Sequence, residues 1–178
     1  DNAVKASVGM LKRLTEYNET RVTKERPRIK IGIGIHTGEI TLGTLGGLNR
    51  WDTTVIGSDV NKASRVEGLT KDFGASLLVS KQTLDLLQNE NKYHHRYLGT
   101  AEVRGLDESV SIYEIYEADA PEIFEGKIRT TPIFQEALRL YEIQDYTQAL
   151  GKFEDVLELC PEDGAARSYI DTCKKHLG

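Results

Sequence analysis

The chain has 178 residues, of which 39% are apolar and 29% are charged, and its net charge is −5. This composition is typical of a folded, soluble protein, and the acidic balance argues against a nucleic-acid-binding surface, which needs a basic excess. No run of eighteen apolar residues predicts a membrane span, and the first residues lack the apolar core of a signal peptide. Two cysteines, Cys160 and Cys173, are too few for a disulfide framework, so we expect a reducing, cytoplasmic location.

The first predicted elements are a helix and a strand. Apolar residues recur every three or four positions over 2–19, which predicts an amphipathic helix. No cap motif precedes that helix, so we expect the chain to begin partway into a domain. Over 28–38, isoleucines alternate with lysine and glycine. This pattern predicts a strand with one buried isoleucine face and one nearly bare face that a neighbour approaches closely. Turn residues at 37–39 predict that it forms a hairpin with a second strand over 40–45.

The stretch 51–65, WDTTVIGSDVNKASR, predicts a short strand, a glycine turn and a helix that Ser58 caps. Asn61 and Arg65 lie four residues apart on that helix, so they project from one face. An arginine offers planar, bidentate donors that suit a phosphate, and an asparagine amide can orient a sugar. The pair therefore predicts a site for a sugar phosphate.

The next part of the chain adds short strands and one more helix. Ser80 is predicted to cap the helix. Apolar runs bounded by turn residues predict strands over 75–79, 93–98, 101–104 and 110–116. Strands and helices in this irregular order indicate an α+β fold rather than a regular βαβ series.

The remainder predicts a linker and a helical extension. Helical periodicity fades over 118–131, which predicts a linker, and resumes over 132–178. The extension is similar to a tetratricopeptide unit, with a generic helical hairpin as the alternative. The residues that carry this similarity are Ala137, Leu140, Tyr146, Ala149, Phe153 and Pro161. Because one such unit cannot bury its own apolar face, we expect it to pack against a neighbour.

Four segments in order make the sequence specific to one family. They are IGIHTGEITLGTLG, WDTTVIGSDVNKASRVE, LLVSKQT and LGTAEVRGLDESVSIYEIYE. Together they resemble the C-terminal half of the class III nucleotidyl cyclase catalytic domain, the adenylate/guanylate cyclase family, over residues 1–117. The resemblance implies a ferredoxin-like α+β cyclase core that is incomplete at its N-terminus. It also implies that 132–178 is a small helical hairpin, like the tetratricopeptide-like extension of some family members.

The resemblance implies roles for four residues. Asn61 and Arg65 fall on the two catalytic residues of the family, which act on the transition state. Thr54 falls on the position that reads the base, in the form that resembles bacterial adenylate cyclases. Arg104 falls on a basic residue, usually lysine in the family, that contacts the triphosphate. Each substrate-binding assignment has a plainer alternative, since threonine is a common strand residue and arginines are commonly exposed.

No residue of this chain is assigned to a metal. The resemblance implies Mg²⁺ or Mn²⁺ held by two aspartates that would precede Asp1. Asp52 and Asp59 are near the site but are not assigned to the metal, and His36 is assigned a structural role. Sites in this family are shared across a dimer, so the resemblance implies a homodimer, and we expect this chain alone to be inactive.

These observations favour part of an adenylate cyclase, which converts ATP to 3′,5′-cyclic AMP and pyrophosphate by attack of the ribose 3′-oxygen on the α-phosphorus. One alternative is a guanylate cyclase, because the residue that would read the base together with Thr54 falls upstream of the chain. Another is a non-catalytic, cyclase-like scaffold whose helical extension recruits a protein partner. A membrane tether upstream of Asp1 is compatible with all three hypotheses.

Overall fold

The computed structural model describes residues 1–47, 50–102 and 108–178, with side chains for all of these except 45, 47, 50–53 and 90. Helices α1 to α6 are Asn2–Val22, Ser58–Phe73, Lys81–Asp85, Pro121–Glu142, Tyr146–Leu159 and Gly164–Leu177. Strands β1 to β6 are Ile33–Ile35, Thr41–Gly47, Arg50–Ile56, Leu77–Ser80, His95–Glu102 and Ser109–Ile115. One turn of 3-10 helix, Glu90–Lys92, precedes β5. The predicted α+β fold is confirmed.

The strands form one four-stranded sheet and one separate ribbon. The sheet has the order β1-β4-β6-β5, in which β1 and β4 are parallel and the other pairs are antiparallel. The predicted hairpin between 28–38 and 40–45 is wrong, because β2 pairs with β3 and β1 pairs with β4. Only two residues separate β2 from β3 in the sequence, which is the length that favours a hairpin.

Strand β1 is shorter than predicted, and its two faces differ. The isoleucine face is only partly buried, since Ile29 and Ile31 are 38% and 37% exposed. The predicted close approach to the glycine face is confirmed. A Cβ added to Gly34 would lie 2.2 Å from the backbone nitrogen of Glu67, and one added to Gly32 would lie 1.9 Å from the Thr70 hydroxyl oxygen. Helix α2 therefore packs directly on the backbone of β1.

Replacing Gly34 with alanine should lower the free energy of unfolding by about 1–3 kcal/mol, because the new methyl group meets helix backbone that cannot rotate away. Urea unfolding of the purified chain measures this. Gly68→Ala is the matched control, since a Cβ there meets nothing within 4 Å and alanine is favoured in a helix by about 0.5–1 kcal/mol. Equal stability of Gly34→Ala and wild type would contradict the close packing.

Two apolar cores lie on opposite faces of the sheet. Because neighbouring residues of a strand point to opposite faces, β4 contributes Leu77 and Val79 to one core and Leu78 to the other. The smaller core includes apolar residues of α1, namely Val4, Val8 and Leu11. The larger core unites α2 and the strands with α4, α5 and α6. The expectation that the helical extension packs against a neighbour is thus confirmed, and the neighbour is this sheet.

The predicted linker 118–131 is wrong, because α4 already begins at Pro121. Proline is tolerated at the first helical position, where its missing N–H has no intrahelical partner. The sequence hid the first part of this helix because the buried residues over 121–131, which are Gly126, Lys127 and Thr130, do not form an apolar pattern. Gly126 is needed against Cys160, since a Cβ would lie 2.7 Å from the sulfur. Lys127 is buried in an ion pair with Glu114, and Thr130 is buried with its hydroxyl donating a 2.9 Å hydrogen bond to the Gly126 carbonyl.

The helix ends agree with most of the sequence signals. Ser80 caps α3 by accepting a hydrogen bond from the Thr83 backbone N–H, and Gly74 ends α2 in the left-handed conformation with φ 60°. The cap predicted at Ser58 is wrong by one residue, since Ser58 is the first residue of α2 and Gly57 is the N-cap. Gly74 also packs against the start of α6, because a Cβ added to Gly74 would lie 3.2 Å from the Cα of Gly164. The end of α2 and the start of α6, in the helical extension, are therefore in backbone contact.

Candidate functional site

Helix α2 presents Asn61 and Arg65 on its exposed side, one turn apart. The Arg65 guanidinium Nε donates one hydrogen bond, at 3.3 Å, to the backbone carbonyl of Glu102 at the end of β5. Within the described part of the chain, the Asn61 side chain makes no hydrogen bond and Arg65 makes no ion pair. Both side chains therefore keep donors available for a ligand.

Thr54 lies on β3, opposite Gly43 of β2, and its side chain is half-buried. Among the described residues, no hydrogen bond joins Thr54 to Asn61 or Arg65, so the structure brings these residues to adjoining elements without direct contact. The β2–β3 ribbon also carries exposed apolar side chains. These are Leu42, Val55 and Ile56, together with Ile40 just before β2, and they are 42% to 69% exposed.

The fourth predicted residue, Arg104, lies outside the described residues. The residues on either side of that segment are Glu102 and Glu108, and each contacts α2. Glu102 accepts the bond from Arg65, and the Glu108 carboxylate lies 2.6 Å from the Lys62 ammonium. Helix α2 thus holds the residues that flank the segment carrying Arg104.

A polar cluster at the start of α2 was not predicted from the sequence as a unit. Asp59 bonds to His36 Nε2 at 3.2 Å, to the Lys62 ammonium at 2.9 Å and to the backbone N–H of Glu39 at 2.7 Å. The other ring nitrogen of His36 lies 2.8 Å from the Ser80 hydroxyl. His36 is buried, with 2% of its side chain exposed, which supports its structural assignment. The spacing of Asp59 and Lys62 on one helix face is the only part of this cluster that the sequence signals.

The electrostatics of the cluster keep Asp59 ionised. The Lys62 ammonium and the His36 ring, which both bond to Asp59, lower the pKa of its carboxyl to about 2. The bonds to Glu108 and Asp59 raise the pKa of Lys62 above its ordinary value. At neutral pH the cluster therefore contains a carboxylate and an ammonium in contact.

The described residues contain no group of three or more His, Cys, Asp or Glu side chains that could hold a metal ion. The neighbouring residues His94 and His95 make separate contacts, to the Glu117 carboxylate and to the Tyr93 carbonyl. No helix in the described part is long and apolar enough to cross a membrane.

Comparison with known proteins gives matches to adenylate and guanylate cyclases. The family model described as the adenylate and guanylate cyclase catalytic domain matches residues 1–117. An adenylate cyclase of Anabaena cylindrica is 39% identical over 120 residues, which is 65% of this chain and 24% of that protein. The terminal-differentiation-specific adenylate cyclase of Dictyostelium discoideum is 29% identical over 177 residues, which is 99% of this chain and 8% of that protein. The chain thus spans less than a quarter of the length of either relative.

Two solved structures share the fold. The adenylyl cyclase CyaB from P. aeruginosa aligns with a TM-score of 0.54 and 30% identity, over 64% of this chain and 56% of that one. The guanylyl cyclase Cya2 aligns with a TM-score of 0.53 and 28% identity, over 67% of this chain and 58% of that one. With the family model covering residues 1–117, these matches show that the chain belongs to the adenylate and guanylate cyclase catalytic-domain family.

Proposed function

We propose that this chain is part of an adenylate cyclase and supplies the residues that bind the transition state. The observation that carries the proposal is the exposed pair on α2, in which Asn61 and Arg65 lie one turn apart with donors available. The relatives named as adenylate cyclases support the same conclusion. Residues 1–117 would then be the catalytic part, and helices α4 to α6 a tetratricopeptide-like extension that offers a surface to a protein partner.

In the proposed reaction, the 3′-hydroxyl of ATP releases its proton to water, the 3′-oxygen bonds to the α-phosphorus, and the bond from that phosphorus to the bridging oxygen of pyrophosphate breaks. Negative charge develops on the phosphoryl oxygens, so preorganised donors lower the barrier. Arg65 supplies planar donors to those oxygens, and Asn61 orients the ribose. Thr54 reads the base edge with its hydroxyl, which both donates and accepts, and Arg104 contacts the triphosphate.

The remaining parts of the site are proposed outside the described residues. The family is generally metal-dependent, and the metal is proposed to be Mg²⁺ or Mn²⁺ held by two aspartates upstream of Asp1. The polypeptide that carries this chain together with those aspartates is called the parent cyclase below. We propose that it acts in the cytoplasm as a homodimer with shared sites, and that this chain alone makes no cyclic nucleotide.

The base preference provides the test. The parent cyclase should turn over ATP about tenfold or more faster than GTP at equal concentration, measured as cyclic AMP and cyclic GMP formed. Thr54→Val should reduce that ratio about tenfold, because it removes the hydroxyl and keeps the shape. Thr44→Val is the matched control, since Thr44 is exposed on the paired strand β2. A preference for GTP would favour the guanylate cyclase, and no turnover of either nucleotide would favour the scaffold.

A further inference from the structure

The polar cluster around Asp59 joins elements that are distant in sequence. His36 follows the last residue of β1, and Ser80 is the last residue of β4, the parallel neighbour of β1. Asp59 and Lys62 lie in the first two turns of α2, and Glu108 immediately precedes β6. The contacts run from Ser80 through His36, Asp59 and Lys62 to Glu108 without a gap longer than 3.2 Å.

Asp59 is the central member, because it bonds both to His36, which contacts Ser80, and to Lys62, which contacts Glu108. Its two carboxylate oxygens are both used, Oδ1 by His36 and Lys62 and Oδ2 by the Glu39 backbone N–H. The backbone around it is closely fitted as well. A Cβ added to Gly38 would lie 2.1 Å from Asp59 Oδ2, so the loop after β1 wraps the carboxylate.

This arrangement fixes the start of the helix that carries the two proposed transition-state residues. Asn61 lies two residues after Asp59, and Arg65 lies six residues after it on the same continuous helix. A helix moves as a rigid body over such a length, so a shift of its first turn moves both side chains. Catalytic groups that act on a transition state tolerate little displacement, since about 1 Å of misplacement can cost about a hundredfold in rate.

Resting on the function proposed above, we propose that Asp59 is a positioning residue for the cyclase reaction, which holds α2 through His36, Lys62 and the Glu39 backbone so that Asn61 and Arg65 meet the ribose and the phosphate. Asp59 itself contacts no substrate in this proposal. Its effect therefore passes through Arg65 and Asn61, and this distinguishes it from a residue that merely stabilises the fold.

The test uses the parent cyclase with Asp59→Ala, Asp59→Asn and the matched control Asp72→Ala. Asp72 is an exposed aspartate at the other end of α2. Asp59→Ala should lower kcat about tenfold and leave KM for ATP within about twofold, because only the transition-state contacts are displaced. Asp59→Asn keeps an acceptor for the Glu39 N–H and should restore kcat to within about threefold of wild type. Asp72→Ala should leave both constants unchanged.

Repeating Asp59→Ala in a parent cyclase that lacks the positioned side chains separates positioning from general destabilisation. In the parent cyclase that carries both Asn61→Ala and Arg65→Ala, Asp59→Ala should lower kcat further by less than about twofold, because both contacts that Asp59 positions are already gone. The same tenfold loss in both backgrounds would overturn the proposal. A loss of kcat in Asp59→Asn as large as that in Asp59→Ala would also overturn it.

A measurement without activity keeps this inference apart from the proposed function. In the purified 178-residue chain, Asp59→Ala should speed hydrogen exchange of the Glu39 amide about tenfold or more, while Asp72→Ala leaves it unchanged. Unchanged exchange in Asp59→Ala would overturn the positioning role. A parent cyclase that turns over neither nucleotide would overturn the proposed function, while the exchange result still reports whether Asp59 holds the loop and helix together.

Discussion

Replacing Arg65 with alanine should lower kcat of the parent cyclase by about a hundredfold or more, which is the order of loss seen when one oxyanion donor is removed. The reason is that the proposed role of Arg65 is realised on the phosphoryl oxygens as charge develops there. KM for ATP should change much less than kcat, because an interaction confined to the transition state does not contribute to ground-state binding. Cyclic AMP formation at several ATP concentrations measures both constants.

The fold should tolerate this substitution. Arg65 is exposed, and its one hydrogen bond in the described part of the chain is the 3.3 Å contact to the Glu102 carbonyl. Loss of such a bond costs about 0.5–1.5 kcal/mol of stability at most. Arg65→Lys, which keeps the charge and loses the planar pair of donors, should fall between wild type and Arg65→Ala in kcat.

Lys71→Ala provides the matched control for charge. Lys71 is an exposed cation on the same helix, about two turns further on. Its loss changes the net charge by the same amount as Arg65→Ala. If Lys71→Ala lowered kcat as much as Arg65→Ala, the effect would be one of long-range charge and not of a specific donor. Near-normal kcat in Arg65→Ala would contradict the assignment of Arg65 as a catalytic residue.

The parts of this protein that the sequence predicts correctly are those set by local spacing. Asn61 and Arg65 share a helix face because the helical repeat places residues four apart together. Gly34 signals a close neighbour because a strand position without a side chain is otherwise costly. Both inferences need only a few consecutive residues, and the structure confirms the exposed pair and the close approach.

The parts that the sequence does not predict depend on partners far along the chain. The Asp59 cluster needs His36 and Ser80, which are 44 residues apart. The helical character of 121–131 is hidden because Lys127 is a charged residue in a position that a helix pattern expects to be apolar. Lys127 can be buried there only because two carboxylates from other segments meet it. The spacing of apolar residues within 121–131 therefore gives no sign of those carboxylates.

Those carboxylates belong to a buried ion network that fastens the helical extension to the sheet. Arg96 of β5 donates to both carboxylate oxygens of Asp163 at 2.6 Å and 2.8 Å, and its Nε donates to Glu114 of β6 at 2.8 Å. Lys127 of α4 donates to Glu114 at 2.5 Å and to Asp119 at 2.6 Å. Asp163 also caps α6, by accepting from the Ala166 N–H. Arg96 and Asp163 expose none of their side-chain surface.

The charges in this network support one another against the cost of burial. Burial disfavours the ionised form of Glu114, but the charges of Arg96 and Lys127 outweigh it and hold the pKa of that carboxyl below its ordinary value. The same balance, with Arg96 as the main partner, holds the pKa of Asp163 below its ordinary value. Burial dominates at the more peripheral Asp119 and raises the pKa of its carboxyl.

Arg96→Met should therefore lower the free energy of unfolding of the chain at pH 7 by about 3–5 kcal/mol, because it leaves two buried carboxylates without their shared cation. Urea unfolding at fixed pH measures the difference. Lys152→Met is the matched control, since Lys152 forms an exposed pair with Glu136 at 3.6 Å, and such pairs contribute about 0–1 kcal/mol. A loss in Arg96→Met no larger than that in the control would show that the network does not hold the extension in place.

The pH dependence of this loss identifies the carboxylates as its cause. In the wild type, the lowered pKa values of Glu114 and Asp163 contribute stability that is present above their ordinary values of 4.5 and 3.8 and is lost as the pH falls below them. Without the Arg96 guanidinium, burial is the dominant influence on both carboxyls, and their pKa values should rise above those ordinary values. The variant should then gain stability as the pH falls from 7 towards 4.5, while the wild type does not gain from these two groups. The stability deficit of Arg96→Met relative to the wild type should accordingly shrink over that range. The Arg96 guanidinium carbon also lies 4.3 Å from the centre of the Phe134 ring. A deficit of equal size at pH 7 and pH 5 would therefore assign the loss to this missing packing and not to the carboxylates.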